Sequence, residues 1–122
     1  MSNNMAIAEL YYTAMGNKDI SVIEKYASDH IQFIGPFAEF QGKQQYLEIT
    51  GNFIAEIESL NIRTLVGSGD QVTVIYDVHF PDPIGKIRGA ALMDFQDGKV
   101  AKVELFYDTR PVERKKDDIF SR

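Results

Sequence analysis

Asp77 and His79 stand two apart in the stretch YDVHF (76–80), the spacing at which a carboxylate could orient an imidazole for acid–base work. A second set with chemical capacity is phenolic. Tyr11, Tyr76 and Tyr107 each carry a hydroxyl able to donate a hydrogen bond to a carbonyl or a developing oxyanion. Free carboxylates at Glu39, Asp94 and Asp108 complete the candidates. The chain has no cysteine and 2 histidines, His30 and His79, which excludes thiolate metal sites and disfavours a histidine-rich one. No cofactor is expected.

Which of these groups can act together depends on the strand that carries them. In QVTVIYDVHF (71–80), Val72, Val74, Tyr76, Val78 and Phe80 share one face, all apolar or aromatic. Thr73, Ile75, Asp77 and His79 share the other. Removing the apolar face from water is worth about 25 cal/mol per Å². Burying an unpaired acid and imidazole instead would cost several kcal/mol. The expectation is therefore that Asp77 and His79 point outward and are not a catalytic dyad. Asp94 falls on the same outer side, and Glu39 and Asp108 read as solvated carboxylates, with Asp108 close to Arg110.

The surrounding elements follow from periodicity. Ile7, Leu10, Tyr11, Ala14 and Met15 form a helical stripe over 5–15. Asn3 or Asn4 can cap it, and Gly16 and Asn17 end it. Asp19 caps a second helix, with Ile20, Ile23, Tyr26 and Ala27 on one face. IQFIG (31–35) reads as a short strand, and GPFAEFQG (35–42) as a loop with Phe37 and Phe40. Residues 43–58 form the longest helix, with Tyr46, Ile49, Thr50, Phe53 and Ile57 inward. From Asn61 the period becomes 2. Strands at 61–67, 71–80, 86–95 and 99–107 follow, the last two joined by the Asp-Gly hairpin signal of QDG. The predicted order is α-α-β-α-β-β-β-β. That is an α+β fold, a curved antiparallel sheet wrapped on helices into a cone with an internal pocket. One domain spans 1–110, and 111–122 is a charged, aperiodic tail.

The inner face of such a cone supplies the candidate ligand-binding residues. They are Phe33, Phe37, Phe53, Val74, Tyr76, Val78, Ala91, Met93, Val103 and Tyr107, with Tyr11 entering from the first helix as the candidate catalytic donor. Apolar walls with a few phenols fit a small-molecule site. Gly89 and Ala91 on a central strand leave space rather than fill it. On the outer face, Ile75, Leu92 and Phe106 lie among Asp77, His79, Arg88, Asp94 and Glu104. That apolar strip with a charged rim points to a homodimer built sheet to sheet.

The stretches YYTAMGNKDISVIEKYASDHIQFIGP, QGKQQYLE and MDFQDGKVAKVELFYD resemble the nuclear-transport-factor-2-like superfamily, above all its SnoaL-like and ketosteroid-isomerase-like branches. The resemblance spans roughly residues 5–108. It implies the cone-shaped fold and one of several chemistries that this fold hosts. Carried over from the ketosteroid isomerases, the oxyanion-donor tyrosine falls on Tyr11. The general-base aspartate falls on Gly35, just before Pro36, and the second oxyanion donor falls on Ala91. With one of three groups present, the resemblance implies that steroid isomerisation of that type is absent. An epoxide hydrolase of the same superfamily needs an arginine and two aspartates inside, whereas Arg88 and Asp77 are expected outside.

Composition limits the remaining classes. At 122 residues, 44% apolar and 25% charged, the chain has the makeup of one globular domain. Its net charge of −5, from 18 acids and 13 bases, disfavours nucleic acid as a partner. No segment approaches the 18 or so apolar residues of a membrane span, and MSNNMAIAEL lacks the makeup of a signal peptide. The expectation is a cytoplasmic protein that binds a small hydrophobic molecule. An isomerase or polyketide-cyclase-type enzyme using Tyr11 is one alternative, and a dimeric interaction module without a ligand is another.

Overall fold

A computed structural model describes residues 3–120. Helix α1 (Asn3–Gly16) and helix α2 (Ile20–Tyr26) precede strand β1 (Ala27–Ile34) and a short strand β2 (Glu39–Gln41). Helix α3 (Lys43–Glu56) leads into β3 (Ser59–Ser68), β4 (Gln71–Phe80), β5 (Gly85–Gln96) and β6 (Lys99–Tyr107). A 3₁₀ turn (Arg110–Lys115) and helix α4 (Lys116–Phe120) close the described chain. None of these helices is long and apolar enough to cross a membrane.

The strands form one six-stranded sheet in the order β2-β1-β6-β5-β4-β3. All neighbours are antiparallel except β1 and β6, which run parallel. The sheet is curved, unclosed and mixed, and the helices fill its concave side. This is the expected α+β cone with two additions. Phe40 belongs to a paired strand and not to a free loop, with Phe33 as its register partner. The parallel join of β1 to β6 brings Phe33 beside Val103.

Local signals set the boundaries. The Asp19 carboxylate accepts from the Ser21 amide at 3.1 Å and starts α2. Asn4 does not cap α1; its side-chain amide donates to the Gly69 carbonyl at 3.3 Å. Asp97 (φ 53°) and Gly98 (φ 76°) both take the left-handed conformation that a two-residue hairpin needs. Parity along β4 is as the hydrophobic pattern predicts. Val72, Val74, Tyr76, Val78 and Phe80 are buried, and Thr73, Ile75, Asp77 and His79 are half-buried on the convex side.

Two readings are corrected. Helix α1 packs on β3, β4 and α2 together, so a wide arc is buried, including Ala8 and Tyr12. Leu10, placed in the inner stripe, lies 52% exposed. Of the expected tail 111–122, residues 111–120 are described, and they do not trail away over the surface. Val112 and Ile119 are buried in the same core, and α4 rests on α3. Lys115 binds Glu56 at 3.0 Å, and the Asn52 side-chain amide donates to the Ile119 carbonyl at 3.0 Å. A few scattered apolar side chains, Val112, Ile119 and Phe120, hold this segment to the core, too few to give a periodic pattern.

Candidate functional site

A cavity of about 70 Å³ lies between the concave face of the sheet, helices α1 and α3, and the C-terminal segment. That is several times the roughly 10–15 Å³ that one water molecule needs. From the sheet come Phe33, Tyr76, Val78, Val103, Leu105 and Tyr107, with Phe37 from the loop before β2. Helix α1 adds Tyr12 and Met15, and α3 adds Tyr46, Ile49, Thr50 and Phe53. Phe80 and Ile87 of the sheet, with Val112, Lys116, Ile119 and Phe120, form the remaining wall.

Seven of the sequence-predicted lining residues therefore meet: Phe33, Phe37, Phe53, Tyr76, Val78, Val103 and Tyr107. Val74, Ala91 and Met93 are on the correct face but sit in solid packing, fully buried and away from the cavity. They pair across β4 and β5 at Val74–Ala91 and Val72–Met93, toward the end of the sheet that α1 covers. Tyr11 is also outside the cavity. It is fully buried, and its hydroxyl donates to the Tyr46 hydroxyl at 2.6 Å. Tyr46 does face the cavity, so Tyr11 reaches that space only through it. Tyr46 and, on the first helix, Tyr12 are the phenols that sequence reasoning left out of the lining. Helical spacing allotted the inner stripe to Tyr11, and the neighbouring position is inside only because α1 is buried over a wide arc.

Aromatic packing fixes the walls. The rings of Tyr12 and Tyr76 stack with centroids 5.5 Å apart. Phe33 stacks on Phe40 at 5.0 Å, and Phe120 sits edge-on to Phe37 at 5.9 Å. Glycine at 89 permits the pose of Tyr76. A Cβ there would lie 2.7 Å from the Tyr76 hydroxyl and from the ring carbon bearing it. The phenol thus lies flat across the strand next to it.

Burial keeps the phenols of the site neutral. Burial pushes Tyr11 and Tyr12 well above the ordinary tyrosine range, and the neighbouring phenols add to it. Burial likewise raises Tyr76, with Tyr107 and Tyr46 contributing. Tyr46 is raised to about 12 by burial, partly offset by its hydrogen bonds with Tyr11 and Thr50, and Tyr107 to about 12 by burial alone. Thr50 is the buried polar residue beside Tyr46. Among the described residues no carboxylate lines the cavity, and its charged member is Lys116, which binds Glu113 at 3.0 Å near the surface.

The remaining candidates lie elsewhere. Asp77 is on the convex face, 3.9 Å from Arg63, and one of its oxygens is buried without a hydrogen-bond partner among the described residues. His79 pairs in register with Lys86 and Ser59 on that face. Asp94 binds Lys102 and accepts from Gln71, Asp108 is held by Arg110 at 2.6 Å, and Glu39 is exposed. The Arg110 side chain draws the Asp108 carboxyl down to about 2. Among the described residues, no three His, Cys, Asp or Glu side chains cluster closely enough to hold a metal ion.

Comparison with solved structures places this geometry in a broad group. A steroid delta-isomerase from Pseudomonas aeruginosa superposes with a TM-score of 0.81 at 14% identity, covering 98% of this chain and 90% of that one. An NTF2-like protein of unknown function from Cytophaga hutchinsonii gives 0.78 at 16% identity, covering 90% and 94%. A de novo designed protein with a curved β-sheet gives 0.81 at 18% identity, covering 94% and 96%. At such identities the likeness is one of fold. No curated protein matches the sequence. The family described as SnoaL-like domain matches residues 8–103, which takes in most of α1, all of α3 and most of the sheet, and the chain belongs to that family.

Proposed function

We propose that the chain binds a small hydrophobic molecule in the cavity between sheet and helices. The observation that carries this reading is the cavity wall: apolar side chains throughout, interrupted by phenols and Thr50, with a single charge at the rim. Such a surface excludes water from an apolar guest while leaving a few groups to orient it. Membership of a SnoaL-like family and a fold shared with a steroid delta-isomerase are in keeping with an enclosed organic ligand. The size of the space favours a single-ring molecule. A polycyclic guest requires the segment 110–120 to move outward.

Classical steroid isomerisation is not part of this reading, because Gly35 and Ala91 occupy the positions assigned by resemblance to the base and the second donor. An isomerase or cyclase with Tyr11 as donor would have to act through Tyr46, and among the described residues no carboxylate lines the cavity as a base. Calorimetric titration with ethylbenzene tests the binding reading. Saturable 1:1 binding that is lost when Val78→Trp fills the space supports it, and absence of any heat or thermal shift with ethylbenzene and with its ketone analogue acetophenone alike refutes it.

The convex face supports a second proposal, a homodimer formed sheet to sheet. Phe106 is 52% exposed there, beside half-buried Ile75 and Leu92, and the unpartnered Asp77 oxygen lies on the same face. A second copy would cover the apolar strip and offer that oxygen a donor. Sedimentation equilibrium of wild type and Phe106→Arg decides: a dimer that becomes a monomer is expected, and a monomeric wild type ends the proposal.

A further inference from the structure

The hydroxyls of Tyr12 and Tyr76 have an unmet requirement. Tyr12 is 2% exposed and Tyr76 5% exposed, yet neither hydroxyl has a hydrogen-bond partner among the described residues. Buried phenols ordinarily find one, because leaving the group unpaired costs about 1–3 kcal/mol. The other phenols of the interior show the contrast, since Tyr11 and Tyr46 satisfy each other. Among the described residues, the unpartnered side-chain atom sealed completely inside the protein is an oxygen of Asp77, not a phenol oxygen. The Tyr12 and Tyr76 oxygens therefore keep some free surface, and both side chains line the cavity. Their rings stack at 5.5 Å, and each belongs to the same electrostatic group of phenols centred on Tyr46.

We propose that Tyr12 and Tyr76 form a donor subsite that selects ligands bearing a neutral hydrogen-bond-accepting oxygen, such as a ketone, aldehyde or quinone, over hydrocarbons of the same shape. The proposal rests on the reading of the cavity as a ligand site and adds its chemical class. Two phenol donors suit the two lone pairs of a carbonyl oxygen. A carboxylate is disfavoured at this depth, because among the described residues no Lys, Arg or His accompanies the phenols and Lys116 stands at the rim. Both phenols stay protonated across the physiological range, so both remain donors. Gly89 supports the subsite from behind by allowing the Tyr76 ring to lie against the strand.

The test compares acetophenone with ethylbenzene, which differ by C=O for CH₂, in calorimetric titrations of the full chain. Wild type is expected to bind the ketone about tenfold more tightly. Tyr12→Phe and Tyr76→Phe should each cut that preference several-fold, the double variant should abolish it, and Tyr11→Phe should leave it intact. Without ligand, each of the two Tyr→Phe changes should leave the melting temperature unchanged or raise it, because no internal hydrogen bond is lost. Equal binding of the two probes to wild type overturns the subsite and leaves the cavity reading standing. Loss of the preference in Tyr11→Phe alone moves the donor to the Tyr11–Tyr46 pair and overturns the assignment. A clear drop in melting temperature for ligand-free Tyr12→Phe shows an internal partner and overturns it as well. If neither probe binds, the cavity reading itself fails.

Discussion

Gly89→Ala is a sign test of the site's construction. Gly89 lies inside β5 opposite Tyr76, and its φ is not in the left-handed region. An alanine at such a position normally stabilises by about 0.4–1 kcal/mol, through lower unfolded-state entropy. Here the added methyl would sit 2.7 Å from the Tyr76 hydroxyl and 2.8 Å from a ring carbon. Carbon contacts are comfortable near 3.5–4.0 Å, so the ring must retreat by about 1 Å into the cavity. Overpacking of this kind costs about 1–3 kcal/mol. The clash exceeds the entropic gain, and the net loss is about 1–2 kcal/mol, or roughly 4–8 °C in melting temperature for a chain of this size. In a Tyr76→Leu background the offending atoms are gone, and the same alanine should be neutral or stabilising. Urea denaturation followed by far-ultraviolet circular dichroism gives the four stabilities, since the chain has no tryptophan to report. The coupling between the two sites should be about 2 kcal/mol. If Gly89→Ala stabilises both backgrounds equally, Tyr76 does not lie over Gly89 and the description of the cavity floor is wrong.

The C-terminal segment and the phenols yield two more expectations. Ile119→Ala should cost about 2–3 kcal/mol in the same assay, because Ile119 is buried among core residues. A solvated tail would show a change within about 0.5 kcal/mol. Stability should also fall in alkali. Tyr46 holds its proton to about 12 in the folded chain, while the unfolded phenol releases it near 10. The contribution is full below pH 10 and is lost as pH rises toward 12, about 2–3 kcal/mol from this fully buried group alone. A urea midpoint that stays level from pH 9 to pH 11.5 contradicts it.

Much of the fold could be read from periodicity, and the reasons for the failures are physical. Strict alternation in β4 separated Tyr76 and Val78 from Asp77 and His79, because one buried face demands it. Alternation gives the face and not the position along the strand. It therefore grouped Val74, Ala91 and Met93 with the true cavity wall, although the end of the sheet they occupy is filled by packing. The helical stripe in α1 could not rank Leu10 against Tyr12, since how wide an arc is buried depends on β3, β4 and α2 together. Tyr46 was legible as an inward position of α3, but its hydrogen bond with Tyr11 joins residues 35 apart and leaves no local mark. The parallel pairing of β1 with β6 and the docking of α4 are likewise long-range, set by contacts that no window of sequence contains.

The most direct measurement is the mapping of acetophenone on the ¹⁵N-labelled chain by amide chemical-shift changes. Shifts concentrated at Tyr12, Tyr46, Tyr76, Val103, Tyr107 and the 112–120 segment, saturating with one ligand per chain, are the predicted result. Shifts confined to the convex face, or no saturable shifts at all, would contradict a ligand site inside the cone.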